Sequence, residues 1–234
     1  MLTNQIFSTA PDLAKVDYGV RVENVVASGR LEQPLDLEQI SGTIPGARYN
    51  PQRFPGLFFN MKKPKSLLVL FKSGKMISMG TRSVRQAKTA IINAVKELRS
   101  TGMVILGNPK IVIQNMVACA DLKTRIDLED MASSLRRTIY EPENFPGLIY
   151  IMDEPKVTLL LFTNGKVVCA GAKSEDDVHQ AVARIHKTLE LKGLTEHAAN
   201  KPTIRSDVTA KEETISSGRQ APEELTCLAT ASST

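Results

Sequence analysis

Tryptophan is absent from this 234-residue chain, cysteine and histidine occur three times each, and aromatic residues make up only 5%. Each scarcity excludes something. Cys119, Cys169 and Cys227 form no C-x-x-C pair, which argues against a disulfide framework or a zinc site and fits a reducing compartment. No run of 18 apolar residues exists, so no membrane span is expected. Met1 to Lys15 lacks a basic segment followed by an apolar one, so no signal peptide is read there. His179 and His186, seven apart on a predicted helix, have no third ligand and read as surface histidines. Asp176 and Asp177 are adjacent and point apart on a helix, in a first turn where acids are favoured anyway. Gly-Ala-Lys-Ser at 171–174 lacks the upstream glycine of a phosphate-binding loop. No nucleophile stands beside a base, so neither enzyme activity nor a cofactor or metal is expected.

What the chain does have, it has twice. Asn24 returns as Asn115, Phe54-Pro55-Gly56-Leu57 as Phe145-Pro146-Gly147-Leu148, and Pro64-Lys65 as Pro155-Lys156. Phe71 returns as Phe162, Gly74-Lys75 as Gly165-Lys166, and Gly80 as Gly171. One offset of 91 fits every pair. A unit this long is a duplicated half, not a solenoid repeat. Two such halves build a pseudo-two-fold object, suited to a ligand that is itself nearly two-fold.

Charge is shared unequally between the copies. Residues 17–107 carry 14 Lys/Arg against 6 Asp/Glu, residues 108–195 carry 11 against 12, and the remainder from Glu196 carries 4 against 6. A basic half suits a polyanion, and a near-neutral half leaves room for a different partner.

The organisation follows from periodicity and turn chemistry. Residues 1–16 read as a loose leader, 17–107 as the first repeat, 108–195 as the second, and 196–234 as a disordered tail rich in Ser, Thr, Ala, Glu and Lys. Alternating apolar stretches predict strands at Val20–Ala27 and Ile111–Ala118. Short helices are predicted at Asp36–Ser41 and Asp127–Ser134. A Tyr-x-Pro-x-x-Phe-Pro-Gly turn follows each. Strands then flank hairpins at Ser73-Gly74 and Asn164-Gly165, and Gly80 and Gly171 close the last strand of each copy. Amphipathic helices are predicted at Ser83–Arg99 and Ser174–Leu191, with Ser83 and Ser174 as N-caps. The order predicts an α+β fold with an antiparallel sheet and helices sharing one face. Cys119 and Cys169 read as small core residues within strands.

The strand Leu67–Phe71 and its copy Thr158–Phe162 are apolar on both faces. Alternation alone fits burial on both sides. Phe54 and Phe145 tilt the reading towards an open face, because each large ring precedes Pro-Gly in a turn, a poor place for a core residue. The pairs Phe54/Phe71 and Phe145/Phe162, flanked by Lys65, Lys75, Lys156 and Lys166, suit duplex DNA: lysines neutralise phosphates, and apolar wedges enter a widened minor groove. Asn24 and Asn115 offer one amide per half to the A·T acceptors of that groove. Stacking on single-stranded RNA would use the same basic half and exposed rings.

These motifs, Asn-Val-Val-Ala (24–27), Asn-Met-Val-Ala (115–118), the two Phe-Pro-Gly-Leu turns, Pro-Lys, Phe-x-x-Gly-Lys and Gly-Ala-Lys-Ser, resemble the TATA-binding protein family from about Asp17 to Gly193. The resemblance implies a pseudo-two-fold saddle of curved antiparallel sheet, concave face on DNA and helices on the convex face. It implies that Phe54 with Phe71 and Phe145 with Phe162 form wedge pairs, and that Asn24 and Asn115 meet central bases. Val26, Val69, Ile77, Val117, Leu160 and Val168 would press on the groove floor, and the four lysines would meet phosphates. Glu141 and Glu143 match the acidic second stirrup that meets transcription factor B, through which RNA polymerase is recruited. The first stirrup, Tyr49-Asn50-Pro51-Gln52, has no acid at the equivalent places. The apolar concave face leaves open a homodimer of the DNA-free protein.

Four positions depart from the family pattern. Met79 and Ala170 stand where threonines touch central bases, and Asn60 and Ile151 stand where arginines reach phosphate. These departures leave open a divergent paralogue acting mainly through protein contacts. The Glu23-Asn24 pair and the short leader resemble archaeal members, implying a cytoplasmic, nucleoid-associated protein; a eukaryotic member would be nuclear.

Overall fold

Two long strands lie at the centre of the molecule: β1 (Arg21–Arg30) and β6 (Lys110–Asp121). Both outrun the alternating stretches in the sequence, because Ser28, Gly29 and Arg30 are paired on both sides and so remain strand despite weak propensity. The computed structural model describes residues 16–196, all within one compact unit. The expected leader up to residue 15 and the expected tail from residue 197 lie outside the described residues.

After β1 come α1 (Leu37–Thr43), β2 (Arg48–Tyr49), β3 (Gly56–Lys62), β4 (Lys65–Phe71), β5 (Lys75–Thr81) and α2 (Val84–Ser100). After β6 come β7 (Arg125–Ile126), α3 (Leu128–Ser134), β8 (Thr138–Ile139), β9 (Leu148–Met152), β10 (Val157–Leu161), β11 (Lys166–Ala172), α4 (Glu175–Leu191) and β12 (Thr195–Glu196). The helices start where side chains satisfy the first free N–H groups. Asp36 accepts from Glu38 and Gln39, Asp127 from Asp130, and the Ser83 hydroxyl from Gln86. Ser174 and Asp177 close a reciprocal capping box.

Ten strands form one antiparallel sheet in the order β2-β3-β4-β5-β1-β6-β11-β10-β9-β8, a palindrome of the two halves about the β1–β6 seam. Val25 pairs with Met116, its own counterpart at the offset of 91, so the pseudo-dyad passes through that pair. Beside it, Asn24 pairs with Val117 and Val26 with Asn115. Register shifts flank the seam at Glu23 and Gln114, again equivalent positions.

One sheet face carries the helices. The buried stripes of α2 (Ala87, Ile91, Ala94, Val95, Leu98) and α4 (Val178, Ala181, Val182, Ile185, Leu189) join Val25, Ala27, Met76, Met116, Ala118 and Cys169 in one core. Each fully buried aliphatic side chain contributes roughly 2 kcal/mol. The fit at α2 is close: a Cβ on Gly29 would stand 2.7 Å from Ile91 Cγ2. At the hairpins, Gly74 and Gly165 have φ of +79° and +83°, and a Cβ there would meet carbonyl oxygens of Gln33 and Thr124 at 2.3 and 2.1 Å. Only glycine meets both conditions.

Three features depart from the sequence reading. β12 pairs with β7 beneath the second half, whereas the equivalent of Arg125 is Pro34, which has no N–H to donate. There the side-chain amide of Gln33 substitutes, donating to the Val104 carbonyl and accepting from Leu106 N–H at 2.7 Å. Cys119 is half-buried on the sheet face opposite the helices, because Ala118 and Ala120 take the helix face of β6. His186 is no surface residue: its Nδ1 lies 3.0 Å from the Tyr18 hydroxyl, and its side chain is 15% exposed. His179 is exposed.

Candidate nucleic-acid interface

Strand alternation sends the residues singled out in the sequence to one side. On β1 and β6, burial of Val25, Ala27, Met116 and Ala118 against the helices turns Asn24, Val26, Asn115 and Val117 the other way. The same parity on the flanking strands turns Val69 and Phe71 of β4, and Lys75, Ile77 and Met79 of β5, towards the open face. Leu160 of β10, Phe162 just after it, and Lys166, Val168 and Ala170 of β11 mirror them. Lys65 and Lys156 share that parity at the start of β4 and just before β10. Pairing joins these residues into two rows, each crossing the seam by one residue: Phe58, Val69, Ile77, Ser28 and Val112, and Ile149, Leu160, Val168, Cys119 and Arg21. Val69 and Val117 are only 4% exposed, so the accessible apolar surface comes mainly from their neighbours.

The two asparagines are locked. Asn24 Oδ1 accepts the Gly80 N–H at 2.8 Å, and Asn115 Oδ1 accepts the Gly171 N–H at 2.9 Å. A backbone N–H can meet only the amide oxygen, so each Nδ2 is left as the outward donor. Gly80 and Gly171 adopt φ of +90° and +97° at bulges where the ladder shifts register. They do not end their strands, as the sequence suggested; the bulge re-aims a backbone donor at the asparagine. Sequence alone hides this because the partners are 56 residues apart. Its one trace is that asparagine and glycine recur together at the same offset.

The phenylalanines form the expected pairs. Phe54 and Phe71 stand 6.0 Å apart between ring centroids, Phe145 and Phe162 5.9 Å, both edge to face. Gly56 and Gly147 make room for them. A Cβ on Gly56 would stand 2.6 Å from the Phe54 ring, and on Gly147 2.7 Å from the Phe145 ring. Phe54 is 38% exposed despite its size. Phe58 escaped the sequence reading; it stacks beside Phe54 at 5.1 Å, and the second copy holds Ile149 in its place. Its signal was alternation along β3, hidden by Phe59 next to it.

The cations divide by half. Lys65, Lys75, Lys156 and Lys166 are exposed, with no carboxylate in ion-pair range among the described residues. Arg30, Arg48, Arg53, Lys62, Lys63 and Lys72 of the first half are replaced in the second by Asp121, Ile139, Asn144, Asp153, Glu154 and Thr163 at the equivalent positions. Near the seam, Glu23 is offset by Arg21 and Arg82. Glu141 and Glu143 are exposed in the loop between β8 and β9, where the Glu141 carbonyl accepts the Asn144 and Phe145 N–H groups. Asn50 makes the same turn in the first half, accepting from Arg53 and Phe54. Asn60 and Ile151 are exposed on β3 and β9.

Burial pushes the Cys169 thiol up to about 12, so it holds no thiolate near neutrality. Among the described residues no three metal-ligating side chains cluster, and no helix is long and apolar enough to cross a membrane.

Comparison with known proteins shows the family and the fold. A family model described as "Transcription factor TFIID (or TATA-binding protein, TBP)" matches residues 19–101 and again 110–191. The TATA-box-binding protein of Sulfolobus acidocaldarius is 46% identical over 182 residues, covering 77% of this chain and 92% of that one. That of Methanocaldococcus jannaschii is 43% identical over 171 residues, covering 73% and 93%. The solved structure of Methanococcus jannaschii TBP superposes with a TM-score of 0.69 at 42% identity, covering 74% of this chain and 98% of that one.

Proposed function

This chain belongs to the TATA-binding protein family, and from that premise we propose that it is a general transcription initiation factor acting on A·T-rich promoter DNA. It binds in the minor groove through the open sheet face and bends the duplex. The observation that carries this reading is the symmetric placement of two locked amide donors between two aromatic pairs. Minor-groove acceptors of A·T and T·A pairs look alike, so donors related by a dyad read either strand direction. G·C pairs place an amino group there and oppose the Nδ2 donors. Phe54 with Phe71, and Phe145 with Phe162, enter at the two ends and open base steps, as apolar wedges do in minor-groove architectural proteins, this family among them. Val26, Ile77, Leu160 and Val168 cover the sugars and bases between, and Lys65, Lys75, Lys156 and Lys166 neutralise phosphates.

Glu141 and Glu143 then offer an acidic stirrup to transcription factor B, which brings RNA polymerase. Their exposure and their place at one end only support this role.

A second reading has its own observation. Met79 and Ala170 remove two hydroxyls beside the central bases, and Asn60 and Ile151 remove two cations. A family member so altered would bind promoters weakly alone and depend on factor B. A gel shift combined with end-to-end FRET on a TATA duplex and a GC-rich control, with and without factor B, separates the readings. Bending of the TATA duplex by the protein alone supports the first, and bending only with factor B the second. No preference for the TATA duplex in either condition removes both.

A further inference from the structure

The outer end of the first half carries a feature that the second lacks. Arg48 and Arg53 line a groove of about 730 Å3 with Tyr49, Phe54 and Phe58, at the sheet edge formed by β2 and β3. Arg48 pairs in register with Phe58, and Arg53 immediately precedes the wedge residue Phe54. Neither arginine has a carboxylate within ion-pair range among the described residues. The equivalent positions hold Ile139 and Asn144, and Arg137 beside that second edge is already bound to Asp153.

The geometry points to a one-sided phosphate clamp: Arg48 and Arg53 hold the sugar-phosphate backbone of duplex DNA beyond the first-half wedge, with no counterpart beyond the second. The inference rests on the minor-groove reading above. A planar guanidinium binds phosphate through two parallel N–H donors, so an unpaired arginine pair at the rim of an apolar groove is suited to this ligand. The clamp also answers a deficit. Asn60, two residues along β3 from Phe58, leaves the first half without one phosphate contact, and Arg48 on the neighbouring strand β2, with Arg53 in the loop after it, supplies cations at the same edge. In the second half the matching loss at Ile151 goes uncompensated, and Asp153 and Glu154 follow it.

The test is a salt titration of affinity for a TATA duplex with base pairs flanking both ends. It compares the wild-type protein, the double variant Arg48→Ile/Arg53→Asn, which installs the second half's residues, and the reciprocal Ile139→Arg/Asn144→Arg. Two phosphate contacts change the salt slope by roughly two, so over a fourfold rise in salt the first variant should lose about tenfold less affinity than wild type. The reciprocal variant should lose about tenfold more. Trimming the flanks should cost the wild type affinity and leave the first variant unmoved. Should the double variant melt early, Arg53→Gln alone, with half the slope change, carries the test. Equal slopes in wild type and first variant overturn the clamp. A wild-type protein that fails to prefer the TATA duplex overturns the minor-groove reading and the clamp with it; preference with equal slopes overturns the clamp alone.

Discussion

Asn24 and Gly80 are joined by a 2.8 Å hydrogen bond from a bulge N–H to a side-chain oxygen, and the bond recurs between Asn115 and Gly171. It fixes which end of the amide faces outward. Asn24→Asp keeps the acceptor for Gly80 but replaces the outward donor with a second anionic oxygen. The fold should therefore survive with an unchanged melting temperature, while affinity for a TATA duplex falls by about 1–3 kcal/mol or more. Fluorescence anisotropy beside a thermal melt checks this; undiminished binding would remove the asparagines from the interface.

The aromatic pairs can be tested without deleting a ring. Phe162→Ala should reduce both bending and affinity in an end-to-end FRET assay. Gly147→Ala places a Cβ 2.7 Å from the Phe145 ring and 3.0 Å from that of Phe162, so it should displace the pair and reduce bending while every phenylalanine remains. Full bending in both variants would show that the rings are not wedges.

Glu141→Arg should leave DNA binding intact, because Glu141 is exposed in a loop where its Oε2 accepts from Asn144 Nδ2, and should abolish assembly with factor B in a native gel. Assembly that persists would move the partner surface elsewhere.

Ser78 is fully buried, its hydroxyl has no hydrogen-bond partner among the described residues, and its counterpart in the second half is Cys169. A buried unpaired hydroxyl costs about 1–3 kcal/mol, and a thiol fills the site with a weaker demand for a partner. Ser78→Cys should therefore raise stability by about 1 kcal/mol, roughly 3 °C in melting temperature. A lower melting temperature would mean that the hydroxyl has a partner in solution.

Asp177 ties its carboxylate to the Lys173 N–H first, and to Ser174, which holds its pKa below the ordinary carboxylate range. A lowered folded-state pKa stabilises the fold above the unfolded value near 4, and that contribution is lost as pH falls through the folded value. Removing it with Asp177→Asn should lower stability at neutral pH by about 1 kcal/mol, and the difference from wild type should shrink in acid. A difference that stays constant with pH would assign the effect to lost packing.

Much of the fold was legible because duplication wrote it twice. The helix starts at Asp36, Ser83, Asp127 and Ser174 follow from local chemistry, and the hairpins at Gly74 and Gly165 from the need for positive φ. What stayed hidden depends on partners distant in sequence. The Asn24–Gly80 bond needs the bulge, and the Gln33 bridge needs Pro34 to have removed a strand donor. The facing of Cys119 depends on β6 being read in the right parity, and the Tyr18–His186 contact spans 168 residues. The lysines and phenylalanines of the site were visible as paired motifs, whereas Phe58 was not, because the second copy has Ile149 there.

The seam between β1 and β6 has a mechanical consequence. A beam that bends a load gripped at both ends carries its greatest moment at midspan, and here midspan is the Val25–Met116 pair. In the proposed bending of a duplex, a flexible joint there would let the two arms yield before the stiff DNA did. Instead the arms meet in a backbone ladder that runs the length of β1 and β6, broken only by the bulges at Glu23 and Gln114, and backed by the stripes of α2 and α4. The duplication therefore supplied more than two copies of a contact: it supplied a continuous girder, and leverage on the ends depends on residues at the middle that never touch them.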